Sequence, residues 1–142
     1  MKILWVKADF LHPATKGGHI RTLQMLKALH RRHEIHYVGI EDPEHPEGVS
    51  RSSEYCSFCY PIRHHVPAKR SLGFAMQLAA GLVSPLPVPV ARYRSSAMRR
   101  KVDERLRYGG FDRLVCDFLF PAPNIPDLSR AILFEHNVES MI

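Results

Sequence analysis

The chain has 142 residues, enough for one domain with a sizeable core, and its 45% hydrophobic content is that of an ordinary globular protein rather than a disordered one. No stretch approaches the roughly 20 uninterrupted apolar residues that span a bilayer, and the opening "MKILWVKADF" is too short and too soon charged to be a secretory signal. A net charge of +6 favours anionic partners, whether nucleic acid, phosphates or an acidic membrane surface, without choosing among them.

Lys2 to Val6, "KILWV", is a continuous apolar run of strand length, the pattern of a strand covered on both faces. A loop with Pro13 follows, and from Gly18 to about Arg32 the pattern becomes helical. Leu23, Met25, Leu26 and Leu29 fall in one arc, and Arg21, Gln24, Lys27, Arg31 and Arg32 in the other. "EIHYVGI", Glu34 to Ile40, reads as a second strand, so the first forty residues form a βαβ unit with a parallel pair and a right-handed crossover. After a polar loop from Glu41 to Glu54, the aromatic run Tyr55 to Ile62 reads as a third strand.

Helices are expected at Ser71 to Leu82 and, after a Pro-rich break, at Ser95 to Tyr108. In the later one Met98, Val102 and Leu106 form a docking stripe and the Arg/Lys face points outward. Asp112 to Phe118 and Arg130 to Glu135 read as two further apolar strands. Alternating strands and helices of this kind predict an open, doubly wound α/β sheet, Rossmann-like. The chain stops at Ile142 just as a new helix begins, as expected of a piece of a longer polypeptide.

Gly17 and Gly18 stand after a buried strand and at the start of a helix. The first amides of a helix lack intrahelical partners and carry positive potential. Glycine lets a phosphate approach that backbone closely. The pattern is neither G-x-G-x-x-G nor a P-loop, because His19 and Ile20 follow the glycines. A turn that merely lets strand become helix is the other reading. His136 and Asn137 directly follow the last apolar strand, in "FEHN", and so fall on the same carboxyl edge as the glycine loop. A histidine there can hold a proton or donate a hydrogen bond, or it can cap the next helix.

Cys56 and Cys59, in "CSFC", have no second pair to complete a zinc site and read as structural thiols inside a strand. With only three cysteines, Cys56, Cys59 and Cys116, a reduced, cytoplasmic setting is expected. Most of the nine histidines read as solvated, with His12 and His19 set apart because they flank the glycine loop. The basic stretches Arg63 to Arg70 and Ala91 to Arg107 read either as solvated faces or as attraction to anionic lipid. Nucleic acid is not expected, since no basic region interleaves with exposed aromatics and no helix-turn-helix or RNA-binding signature occurs.

"MKILWV…HP…KGGHIRTLQMLKALHRRHEIHYVGI" resembles the opening of GT-B glycosyltransferases of the large retaining family four, and "LFEHNVES" resembles a later strand-end segment of the same N-terminal domain. The resemblance implies the acceptor-side half of a two-domain enzyme that moves a sugar from a nucleotide-sugar to a glycan or lipid-linked acceptor, in polysaccharide or cell-envelope glycan synthesis. It implies that Gly17 and Gly18 contact the donor diphosphate and that His136 contacts the transferred sugar near the reacting carbon. It further suggests sugar or acceptor contacts for His12, His19, Arg21 and Asn137.

No metal or other cofactor is implied, because amides and basic side chains stabilise the departing diphosphate. The family's second domain, with its paired glutamates and most nucleotide contacts, has no counterpart in these residues, so the chain alone is expected to be inactive and prone to self-association. A peripheral position at the inner membrane face would suit a lipid-linked acceptor. Two other readings compete: an NAD-type oxidoreductase domain, with Glu41 and Asp42 ending the second strand but the wrong glycine pattern, and a non-catalytic basic membrane-binding module.

Overall fold

The computed structural model describes residues 1–64, 73, 76 and 87–135. His136, Asn137 and nearly all of the expected helix at Ser71 to Leu82 lie outside the described residues, as does the basic stretch beyond His64 up to Arg70.

Strands β1 (Lys2–Lys7), β2 (Glu34–Ile40), β3 (Phe58–Ile62), β4 (Arg113–Asp117) and β5 (Ala131–Phe134) form one five-stranded sheet in the order β3-β2-β1-β4-β5. Every pairing is parallel. Helix α1 (Gly17–His30) joins β1 to β2, and α2 (Glu47–Ser50) with a 3-10 turn at Ser52–Glu54 leads toward β3. Helices α3 (Val88–Ala91) and α4 (Ser96–Tyr108) precede β4, and a 3-10 turn at Ala122–Asn124 precedes β5. The fold is the Rossmann-like open α/β sheet expected from the sequence.

Strand alternation sorts the side chains into two cores. On one face Ile3, Trp5, Ile35, Tyr37 and Val115 pack with Leu23 and Leu26 of α1. On the other, Leu4, Val6, Val38, Leu114 and Cys116 pack with Met98 and Val102 of α4. A wholly buried leucine such as Leu26 contributes roughly 1.5–3 kcal/mol. The stripes predicted for both helices are the ones that dock.

Helix α4 begins on Ser95, whose hydroxyl accepts from the Met98 amide at 3.3 Å. It ends at Gly109, where a Cβ would run into the Phe111 ring and the Arg105 carbonyl, and the next residue, Gly110, takes φ +60°.

Four features differ from the sequence reading. β3 starts at Phe58 rather than Tyr55, because Tyr55 and Cys56 leave the 3-10 turn and bury themselves in the α1-side core. Cys56 therefore precedes the strand, whereas Cys59 lies within it, half-buried. His36 is not solvated: it is 5% exposed, bonded to the Tyr60 hydroxyl at 2.9 Å and to Glu34 at 2.6 Å. On β5, Ile132 and Leu133 are 50% and 51% exposed, since β5 is the outer strand of the described sheet.

The order reverses between β1 and β4: β2 and β3 lie to one side of β1, β4 and β5 to the other. Right-handed crossovers in opposite directions send helices to opposite faces, and sheets of this order hold their ligands beyond the carboxyl ends of the two diverging strands.

Candidate functional site

The carboxyl end of β1 is Lys7, and its register partner on β4 is Asp117. Lys7 Nζ donates to Asp117 Oδ1 at 2.9 Å, and the Trp5 indole N–H donates to Oδ2 at 2.9 Å. The two charged side chains are 7% and 0% exposed. Two charged groups withdrawn this far from water need partners, and each is held by the other, with the Trp5 indole as a further donor to Asp117. The next residue after Asp117 is Phe118, at φ +71°. An aromatic residue in the left-handed region is strained by about 1–3 kcal/mol and needs the surrounding fold to hold it there. Its amide donates to the Phe134 carbonyl at 2.9 Å, and its own carbonyl accepts from the Cys116 thiol at 3.2 Å.

Beyond Lys7 the chain reaches Asp9, which is fixed from two sides. Its carbonyl accepts from the Tyr37 hydroxyl at 2.7 Å and lies 3.1 Å from where a Cβ on Gly39 would stand, so β2 pins the start of the loop. Its carboxylate meets His19 Nε2 at 2.9 Å. Burial pushes the Asp9 carboxyl up, but the hydrogen bond from His19 and the charges of Lys7, His19 and Lys16 bring it below the usual carboxylate range. Asp9 thus ties the first turn of α1 to the end of β1. The other ring nitrogen of His19, Nδ1, is buried without a hydrogen-bond partner.

Helix α1 starts with Gly17, Gly18 and His19, after Lys16 in extended conformation (φ −98°, ψ 142°). Lys16 supplies no side-chain cap and the first turn holds no acidic residue, in contrast to the Ser95 cap of α4. Space is open where a Cβ on Gly17 would stand. The structure therefore ties the start of α1, Gly17 to His19, to Asp9, which lies two residues past Lys7 and its partner Asp117. Arg21 is exposed in the same helix. β5 ends at Phe134 on this edge, two residues before His136.

His12 has a different place. It is 6% exposed, and its Nε2 lies 3.4 Å from Glu54 Oε2 without hydrogen-bond geometry. Glu54 also pairs with Lys27 at 2.7 Å and Arg51 at 2.6 Å, and hydrogen bonds from Arg51 and Lys27 hold its carboxyl down to about 2. Burial, with the Arg51 and Lys27 charges, lowers the His12 pKa against the pull of Glu54. His12 braces the loop from behind, between α1 and the Ser52–Glu54 turn.

Burial pushes the thiols of Cys56 and Cys116 up to about 12, so both are inert at neutral pH. Among the described residues no group of three or more His, Cys, Asp or Glu side chains is placed to hold a metal ion, and no helix is long and apolar enough to cross a membrane. The cations of α4 are largely engaged: Lys101 with Glu104 at 2.6 Å, Arg107 with Asp103 at 3.0 Å, Arg105 with the Tyr60 hydroxyl at 3.0 Å and Arg99 with the Pro123 carbonyl at 3.3 Å.

Sequence reasoning singled out the glycines and His19 but missed Lys7, Asp9, Asp117 and Phe118. The signal for the first three was a charge at or just past the end of an apolar strand. Compared with protein-family models, curated proteins and solved structures, the chain matches none.

Two predictions follow from the buried groups. Asp117→Asn or Lys7→Met alone removes the opposite charge from one buried ion and is expected to cost about 3–5 kcal/mol in urea unfolding, whereas the double variant recovers much of that. Additive losses would contradict the pairing. For His12, the unfolded chain takes up the proton first as pH falls below the ordinary value of 6.5, so stability declines below that pH and levels off once the folded residue protonates too. Glu54 stays ionised across this window. Wild type should lose stability between pH 7 and pH 5 faster than His12→Gln; parallel curves would contradict the assignment.

Proposed function

We propose that the chain is the acceptor-side half of a retaining, nucleotide-sugar-dependent glycosyltransferase, with the donor diphosphate on the first turn of α1. One observation carries this reading. The turn is started by glycine, lacks a cap, is open at Gly17, and follows the carboxyl end of β1, the edge on which sheets of this strand order bind their ligands. Free amides and the helix dipole favour an anion there, and Lys16 adds a cation next to the first amides.

In sugar transfer the bond to the diphosphate breaks and negative charge grows on the leaving oxygens. Fixed dipoles aimed at that charge lower the barrier without rearranging when it appears. Asp9 holds His19 in place on the same turn. On the family resemblance His136 would meet the sugar, and a second domain would hold the nucleoside and complete the cleft; the chain alone would then bind the diphosphate weakly and transfer nothing.

An NAD-type site is disfavoured by the long β1–α1 connection, residues 8–16, where a dinucleotide needs a tight glycine turn. Asp42 at the end of β2 is also already bonded to His45 at 3.0 Å.

Because a Cβ at Gly17 meets nothing, Gly17→Val should keep the fold while filling the approach to the amides. Calorimetric titration with UDP-, GDP- and ADP-sugars is expected to show one of them binding wild type, and binding weakened by roughly tenfold or more in Gly17→Val. Equal binding by the variant, or no binding of any of the three to wild type, would overturn the proposal.

A further inference from the structure

Beyond its glycine turn, α1 shows solvent a cationic face that no carboxylate offsets. Ile20, Arg21, Gln24, Ala28 and the C-cap Arg31 fall within one arc of about 100° around the helix, and all five are exposed. Arg32 follows directly and is exposed too. The buried Leu23 and Leu26 lie on the opposite side, in the core. No residue of α1 is acidic. Among the described residues, the carboxylates that reach the helix are already held: Asp9 by His19 at 2.9 Å, and Glu54 by Lys27 at 2.7 Å and Arg51 at 2.6 Å. None of the described residues forms an ion pair with Arg21, Arg31 or Arg32.

Helix α4 is richer in cations, but it balances them with its own Asp103 and Glu104, which pair with Arg107 and Lys101. α1 has no such balance. The helix dipole favours Arg31 and Arg32 at the negative C-terminal end, yet it opposes Arg21 near the positive N-terminal end, so helix stability does not account for the row. From Arg21 to Arg31 the helix rises about 15 Å. That is too far for one small anion to meet both, whereas a plane of negative charge meets both at once. At the far end of the row a hollow of about 360 Å³ is lined by Ala28, Leu29, Arg31, Arg32 and His33. Its lining joins two arginines to two apolar side chains, and a phosphate group that carries an apolar body matches both.

We propose that this face of α1 docks on an anionic lipid bilayer, with Arg21, Arg31 and Arg32 on lipid phosphates and Ile20 between the headgroups. Ile20 is 46% exposed beside Arg21, and an apolar side chain there gains by leaving water at a headgroup layer. Duplex nucleic acid offers the same charge, but its phosphate rows give Ile20 nothing apolar, and α1 has no Phe, Tyr or Trp on which bases could stack. The main apolar stripe of the helix is occupied in the core, so the docking is electrostatic and salt-labile rather than inserted. It requires neither the diphosphate site nor sugar transfer.

The test is co-sedimentation of the 142-residue chain with vesicles of phosphatidylcholine alone or mixed with phosphatidylglycerol, at low and high salt. Binding is expected to the mixed vesicles only, falling steeply as salt rises. Each arginine is expected to contribute roughly fivefold, so the combined Arg21→Gln, Arg31→Gln and Arg32→Gln variant should partition roughly a hundredfold less. Glutamine is a good helix former and all three positions are exposed, so the fold is kept. Arg100→Gln removes an exposed cation from α4 and should change little. Orientation is read from Ile20→Trp. The native Trp5 is only 3% exposed, so the new indole reports the change, and its emission should move to the blue on mixed vesicles, whereas that of Arg100→Trp should not.

Equal sedimentation with neutral vesicles, a combined variant that binds like wild type, or an Arg100→Gln loss as large as that of Arg21→Gln would overturn the docking face. A short DNA duplex that binds as tightly as the mixed vesicles, and is lost in the combined variant, would overturn the bilayer in favour of nucleic acid. If a sugar nucleotide binds through Gly17 but no vesicle is bound, the docking face fails and the donor site stands. If Gly17→Val and wild type bind mixed vesicles alike and no sugar nucleotide binds, the docking face stands and the donor site fails.

Discussion

Lys7 and Asp117 place a buried ion pair across the two strands at which the sheet order reverses. Apolar residues there would serve stability as well or better, since a buried pair recovers little more than the cost of desolvating it. What the pair does is fix charge and register at one point. It locks β1 to β4, takes the Trp5 indole as a third member, and sets a cation below the loop that carries Asp9. The loop, the helix start and the strained Phe118 are all built outward from that floor.

The groups above it share a pattern of restraint below and openness above. The Asp9 backbone is pinned by Tyr37 and crowded against Gly39, while its carboxylate reaches up to His19. α1 is tethered at its third residue, yet its first amides have no cap and the Gly17 surface is open. α4, on the other face, has its Ser95 cap and paired cations, the state of a helix whose work is packing. Of the described α-helices only α4 carries a side-chain cap, so the uncapped start of α1 supports an anion site together with its glycines rather than by itself.

Periodicity carried most of the fold. The apolar runs of β1, β2 and β4 and the stripes of α1 and α4 match the two cores because each segment's burial follows from its own spacing. The aromatic run from Tyr55 misled because composition is the same on both sides of the β3 start; what separates them is a 3-10 turn that buries Tyr55 and Cys56 before the strand begins. His36 was misjudged for a similar reason, since its partners Glu34 and Tyr60 are set by strand register rather than by local sequence. Gly17 and Gly18 were legible because glycine at a helix start is a local signal. Lys7 and Asp117 looked like ordinary polar strand ends, and only the β1–β4 register turns them into a pair.

The proposed diphosphate site is the first turn of α1, on the carboxyl edge of the sheet where β1 and β4 pair. It is tested most directly by titrating inorganic pyrophosphate into ¹⁵N-labelled protein and following every backbone amide. Saturable shifts are expected that are largest at Gly17, Gly18 and His19 and extend to Lys7 and Asp9, with α4 unmoved. Shifts centred on the arginines of α4, or none at the start of α1, would contradict it.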